Sequence, residues 1–296
     1  VVNKTIRSVV TEIRARFASA GLDTPALDAR LLVQSVLGMS HEELLLNPDR
    51  PVSDTDHKKL KESLRRRLRR EPVSRILGRR FFWRSEFQVS PDTLDPRADS
   101  ETLIEAVLKH FPLFGTAPSP QREMKLRILD LGTGTGCLLL SLLQELPQAT
   151  GTGIDISGGA IQIARQNAGA LDLAQRSVFI ISDWSTAKID ATFDVVISNP
   201  PYIPEAEIAG LEPEVSQYEP HSALAGGVDG LECYRSIASL LPRLLKKDGK
   251  VFLEIGHDQA DFVKEILARR GFSVLQTVPD IAGHDRCIVA QWSGSR

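Results

Sequence analysis

From residue 126 to about residue 271, short apolar runs alternate with stretches of helical spacing, and this alternation limits the chain to few architectures. "LRILDL" (126–131), "ATGTGID" (149–155), "SVFIIS" (177–182), "FDVVIS" (193–198) and "GKVFLEI" (249–255) read as strands. Helical stretches such as "CLLLSLLQEL" and "GGAIQIARQNAGAL" lie between them. Strands this apolar are buried on both faces, which requires helices on both sides of a mostly parallel sheet. "FSVLQTV" and "RCIVAQW" follow with no helix between them and are expected to form an antiparallel edge. The fold class is therefore α/β: a doubly wound, mostly parallel sheet of seven strands, preceded by a small helical bundle.

Ligands of such sheets bind beyond the carboxyl ends of the strands. The first strand ends in "DLGTGTG", with Gly132, Gly134 and Gly136 interleaved with Thr133 and Thr135. Glycines there allow a tight turn and close approach of a ligand to the backbone. The dinucleotide pattern G-x-G-x-x-G would need a third glycine where Cys137 stands, so a nucleotide redox cofactor fits poorly. G-x-G-x-G suits a nucleoside-methionine cofactor. Asp155, about 20 residues on, ends the second strand, where an acid accepts hydrogen bonds from ribose hydroxyls. It could instead cap the next helix. Asp183 and Trp184 end the third strand, as an acceptor for an adenine amino group and a ring to pack against the base.

The fourth strand ends in Asn199, Pro200, Pro201 and Tyr202. A planar amide or aromatic nitrogen is a poor nucleophile because its lone pair is delocalised. A site can aim that lone pair by accepting a hydrogen bond from each N–H. The Asn199 side-chain oxygen is one acceptor and the Pro200 carbonyl the other. The two prolines stiffen the turn that carries them. Tyr202 offers an apolar wall with a polar tip. Positioning and charge stabilisation in a dry pocket then carry the chemistry, with no metal or strong base required.

Residues 1–78 read as helices. Ile6, Val9, Val10, Ile13 and Phe17 share one face, and Ser40 with Glu43 forms a capping box. Residues 79–97 read as a hairpin or extended connector, and "GTAPSPQREMK" (115–125) as a surface loop. Net charge is −2, which gives no protein-wide field for nucleic acid. No apolar run is long enough to span a bilayer. The cysteines, Cys137, Cys233 and Cys287, stand apart in sequence, lack metal-ligand spacing and suit a reducing cytoplasm. Arginines cluster over 65–84, as a solvated helix face or as a docking surface for an acidic partner. The glycines of 219–230 suit either a lid or a fixed loop.

Together these residues resemble the class I, Rossmann-like methyltransferases that use S-adenosylmethionine. "EPVSRILGRRFFW", "LDPRADSETLIE", "DLGTGTGCLLLSLL", "SDW", "ISNPPYIP", "YEPHSALAGGVDGLECYR" and "LEIGHDQ" resemble, in that order, the HemK/PrmC family of peptide-chain release factor glutamine methyltransferases. The resemblance implies methyl transfer to the side-chain amide nitrogen of the glutamine in a Gly-Gly-Gln motif. By position, Gly132 to Gly136, Asp155, Asp183, Trp184 and Asn199 would hold the methyl donor. Asn199, Pro200, Pro201 and Tyr202 would hold the glutamine, with Asn199, Pro200 and Tyr202 as its catalytic core. It also implies three parts: a bundle over 1–78 that docks the release factor, a connector over 79–98 and a methyltransferase domain over 99–296. A monomer without metal, membrane attachment or stable nucleic-acid binding is expected. The family has P-R-P-x-T-E where this chain has Pro96, Arg97, Ala98, Asp99, Ser100 and Glu101, and an acid at Phe81; both departures are expected to lie away from the chemistry. The competing enzyme class is an adenine-amino methyltransferase acting on DNA or RNA, which would use the same turn. The competing non-enzymatic class is a cofactor sensor or scaffold, against which the intact acceptors argue.

Overall fold

The computed structural model describes residues 4–111, 125–187 and 189–293; most of the 115–125 loop lies outside them. In chain order the first helices are α1 (Ile6–Ser19), α2 (Pro25–Leu37), α3 (His41–Leu46), α4 (Asp54–Leu68) and α5 (Val73–Leu77). A hairpin of β1 (Arg79–Phe82) and β2 (Ser85–Gln88) follows, then α6 (Glu101–His110). The main domain continues with β3 (Arg127–Leu131), α7 (Cys137–Glu145), β4 (Thr150–Asp155), α8 (Gly158–Ala170), β5 (Ser177–Ile181) and β6 (Phe193–Ser198). The chain then runs through α9 (Pro213–Ser216), α10 (Glu232–Leu244), β7 (Leu245–Glu254), α11 (Ala260–Ala268), β8 (Phe272–Pro279) and β9 (Asp285–Trp292).

The chain divides into two compact units. One comprises Val1–Gly78 and a short later segment, Glu212–Tyr218; the other holds the rest. In the helical unit, Ile6, Val9, Ile13 and Phe17 of α1 pack with Leu32, Val33, Leu60 and Leu64. Phe17 is fully buried, and such a side chain contributes roughly 1.5–3 kcal/mol. The capping box forms as expected: the Glu43 backbone N–H donates to Ser40 Oγ, and the Glu43 carboxylate accepts from the Ser40 backbone N–H at 2.7 Å. Ser40→Ala should cost about 1 kcal/mol, read from the urea midpoint of this unit.

The arginine run is not a free charged face. Arg67 is buried, donating at 2.7 Å to Asp28 and at 2.9 Å to Glu214. Arg70 donates to the other Glu214 oxygen, and Arg66 pairs with Glu71. Three of the arginines are therefore held inside this unit, two of them, Arg67 and Arg70, by the Glu214 carboxylate from the 212–218 segment.

The sheet of the larger unit runs β5-β4-β3-β6-β7-β9-β8. Strands β3 to β7 are mutually parallel, and β9 is antiparallel to both β7 and β8. The last strand of the chain thus sits inside the sheet, and β8 is the edge. Side chains alternate between two buried layers, as period-2 geometry requires. Ile128, Val195 and Ile197 join Leu139, Leu142 and Leu143 of α7 on one face. Leu129, Leu131 and Val196 join Tyr234, Ile237 and Leu241 of α10 on the other. Strand order reverses between β3 and β6, so a crevice opens at their carboxyl ends.

Candidate active site

The loop after β3 is held by backbone bonds that only its glycines permit. Gly132, Gly134 and Gly136 have φ of 75°, 54° and 79°, the left-handed region that L side chains avoid. The Gly132 and Thr133 backbone N–H groups both donate to the Ile154 carbonyl, at 2.8 and 2.9 Å. A Cβ on Gly132 would lie 3.0 Å from Trp184 Cζ3, so that ring sits directly on the loop. Asp155 closes the other side: one carboxylate oxygen accepts from the Gly134 N–H and the other from the Ser157 N–H, each at 2.9 Å. It ties the loop to the next turn, while Ser157 caps α8. Burial of Asp155 raises its pKa, against the pull of those amides.

A buried clamp supports the loop. Asn167 of α8 donates to the Thr135 carbonyl at 2.9 Å and exchanges bonds with both backbone groups of Gln88 in β2. Asn167→Ala leaves the buried Thr135 carbonyl and the half-buried Gln88 backbone groups without this partner and should cost about 1–3 kcal/mol by thermal or urea unfolding, weakening ligand binding at the loop as well.

Beneath the loop, Asp130 is fully buried and accepts from the Thr133 hydroxyl at 2.7 Å. Desolvation, the largest cause, pushes its pKa up to about 7. Its other oxygen is buried with no hydrogen-bond partner among the described residues. Sequence reasoning missed Asp130, although an acid in the middle of an apolar strand was the available signal.

Gly132, Thr133, Gly134, Thr135, Asp155, Trp184, Asn199 and Pro201 line one cleft, so loop, acid, aromatic ring and amide meet as their strand positions suggested. Gly136 instead caps α7 just behind it. Asp183 is exposed, its carboxylate accepting from the backbone N–H and hydroxyl of Ser185. Pro200 is buried in the turn. Tyr202 faces a neighbouring cavity with Gln259 and Phe262, and its carbonyl accepts from Gln259 Nε2 at 2.9 Å. Desolvation raises its phenol to about 12, so it stays neutral.

Of the residues that depart from the family pattern, Ser100 borders the cleft, whereas Phe81 is exposed and lies outside it. Pro96, Arg97 and Ser100 line the cleft, and Ser100 Oγ accepts from Asn199 Nδ2 at 3.2 Å. The loop after the Asn-Pro-Pro-Tyr turn is pinned rather than free. The Ile203 N–H donates to the Leu224 carbonyl, the Gly226 N–H to the Ile203 carbonyl, and the Glu205 N–H to the Gly227 carbonyl. A Cβ on Gly226 or Gly230 would lie 2.8 or 2.5 Å from the Tyr202 backbone, so these glycines permit close packing. Among the described residues no cluster of side chains could hold a metal ion, and no helix is long and apolar enough to cross a membrane.

Residues 8–78 match the family model of the PrmC N-terminal domain, and residues 122–270 that of a methyltransferase domain. The release factor glutamine methyltransferase of Rhodospirillum rubrum is 46% identical over 93% of this chain and 82% of its own length. That of Caulobacter vibrioides is 41% identical over 96% of each chain. Among solved structures, a methyltransferase from Pyrococcus furiosus aligns with a TM-score of 0.49 at 20% identity, over 71% of this chain and 89% of that one. With its glycine loop, its Asn199 turn and both domains matched, the chain belongs to the release factor glutamine methyltransferase family.

Proposed function

We infer that the protein transfers a methyl group from S-adenosylmethionine to the side-chain amide nitrogen of the glutamine in the Gly-Gly-Gln motif of bacterial peptide-chain release factors. The observation that carries this reading is the shared cleft: the glycine loop after β3 and Asn199 after β6 line the same space. Family membership supplies the substrate class.

The residues present fit the methyl donor. The glycine loop leaves room for a ligand against bare backbone, and Asp155 has lone pairs left for ribose hydroxyls. Trp184, with Asp183 beside it, offers a face for adenine. S-adenosylmethionine supplies a methyl carbon on a sulfonium, which departs as a thioether once the nitrogen has taken the methyl.

The chain's own work is orientation. Asn199 gives its N–H to Ser100 and keeps its oxygen as acceptor for one glutamine N–H. The Pro200 carbonyl accepts the other, on a turn whose φ the prolines fix. With both N–H groups held, the nitrogen lone pair points at the methyl carbon, and the surplus proton passes to solvent after transfer. Pro201 walls the cleft beside the turn, and Tyr202 backs it as a neutral ring. The 1–78 bundle docks the release factor, 79–98 connects, and 99–296 carries the reaction, in a cytoplasmic monomer that needs neither metal nor stable nucleic-acid binding.

Methyl-labelled S-adenosylmethionine, offered with a Gly-Gly-Gln peptide and an adenine-containing duplex in competition, tests this. Label should enter the peptide, and a Gly-Gly-Glu peptide should take none. Label in the duplex alone would assign the protein to the adenine class.

A further inference from the structure

Gln259 ends a stretch, "LEIGHDQ", that the methyl-transfer scheme leaves without a role. It stands immediately before α11, yet its side chain makes no capping bond to that helix. The side chain folds back over the turn at 256–259 and is buried, 7% exposed. Its oxygen accepts from the Gly256 backbone N–H at 3.0 Å. Its nitrogen donates to the Tyr202 carbonyl at 2.9 Å and to the Gly230 carbonyl at 3.3 Å. A side-chain amide has two N–H donors, so both are used. Turned over, the amide would set N–H against the Gly256 N–H and oxygen against two carbonyls, so one orientation is selected. Beside it, the fully buried Tyr234 donates its hydroxyl proton to the Glu254 carbonyl at 2.9 Å.

This clamp grips the Asn-Pro-Pro-Tyr turn where the turn has least to hold itself. Pro200 and Pro201 have no N–H to give. The start of the turn is fixed by β6, where Ser198 pairs with Leu253 and its hydroxyl donates to the Leu131 carbonyl at 2.6 Å. The end of the turn is the Tyr202 carbonyl, which Gln259 takes. The packing around that bond leaves no slack. A Cβ on Gly230 would lie 2.5 Å from the Tyr202 carbonyl oxygen and 2.7 Å from Gln259 Nε2, and one on Gly256 would lie 2.9 Å from Gln259 Oε1. The Pro200 carbonyl lies two residues before the clamped one, with a proline of fixed φ between them. A shift at Tyr202 is therefore passed back to Pro200 rather than absorbed.

We propose that Gln259 is a positioning residue for methyl transfer: by tying the Tyr202 carbonyl to Gly230 and Gly256, it fixes the direction of the Pro200 carbonyl that receives a substrate N–H. This rests on the glutamine reading for its kinetic consequence, and on the hydrogen bonds alone for its geometry. Gln259 touches neither substrate nor methyl donor in this scheme. Its loss should therefore show in the chemical step and not in donor binding.

The full-length chain carries the test. The side-chain N–H signals of Gln259, assigned by their absence in Gln259→Glu, should exchange with deuterium far more slowly than those of exposed glutamines. Gln259→Glu keeps an acceptor for Gly256 and replaces both donors with oxygen. At about pH 8 it should lower kcat for a Gly-Gly-Gln peptide about 10–10²-fold, the range between losing one hydrogen bond and a misplacement of about 1 Å. Affinity for S-adenosylmethionine, measured by calorimetry, should hold, which also reports a folded protein. A protonated carboxyl regains one donor. The rate of Gln259→Glu relative to wild type should therefore climb as pH is lowered from about 8 to about 6. Taking that ratio at each pH removes the titration of Glu207, Asp229, His257 and Asp258, which border the cavity that Gln259 lines. Gln259→Met, apolar and of similar length, should show the same loss without the climb. Exchange as fast as in exposed glutamines would overturn the proposal. So would kcat within about twofold of wild type in both variants, a ratio for Gln259→Glu that stays flat with pH, or equal falls in kcat and donor affinity. Slow exchange in a wild-type protein that leaves the peptide unmethylated would support the clamp and remove the glutamine reading instead.

Discussion

Asn199→Ala should lower kcat/KM for a Gly-Gly-Gln peptide by about 10²–10³-fold, the usual cost of removing one preorganised group that acts in the transition state. Affinity for S-adenosylmethionine should fall far less, because the glycine loop and Asp155 remain. The two effects separate because, on the proposed reading, Asn199 holds the nucleophile. Without it one glutamine N–H is unpaired in the cleft and the lone pair is no longer aimed. Asn199→Asp should fail as well. It keeps an oxygen but loses the N–H that Ser100 receives. Steady-state kinetics with a peptide, alongside calorimetry with the methyl donor, check both.

The second large effect belongs to Asp155. Its carboxylate accepts from the Gly134 and Ser157 backbone amides, and on the proposed reading from ribose hydroxyls too. Asp155→Ala should weaken S-adenosylmethionine binding by about 10²-fold or more, since hydrogen bonds to a charged group are worth about 1.5–3 kcal/mol each. Asp155→Asn should be milder, because an amide oxygen can still accept one of the loop bonds. Calorimetric titration of the three proteins should give the order wild type, Asn, Ala. Equal affinity in all three would mean that the acid only shapes the turn.

The parts of this molecule that sequence makes legible are those set by local pattern. Apolar runs with helices between them specify the sheet, and the glycine spacing specifies a loop with positive φ. The loops after β3, β4, β5 and β6 border one cleft because a doubly wound sheet places those strand ends together. What is not legible depends on partners distant in the chain. Ser100 and Asn199 are 99 positions apart, and Asn167 meets Gln88 across 79. Neither pair has a periodic signature. The arginines over 65–84 show the same difficulty in reverse. As a string they suggest an open basic surface, but Asp28, Glu71 and Glu214 hold several of them inside the helical unit. Glu214 lies in a segment of seven residues, Glu212–Tyr218, whose place in that unit no composition shift announces. The placement of β9 between β7 and β8 is similarly hidden, because two consecutive strands without a helix predict a hairpin but not which strand faces inward.

The most direct test of the account is the location of the transferred methyl. Purified protein, S-adenosylmethionine and an unmodified bacterial release factor would be incubated, and the product mapped by fragment-ion mass spectrometry with Asn199→Ala run in parallel. The account predicts a single added methyl on the side chain of the Gly-Gly-Gln glutamine, lost with Asn199→Ala. A methyl on any other residue, or an unmodified glutamine beside methylated adenine in added nucleic acid, would contradict it.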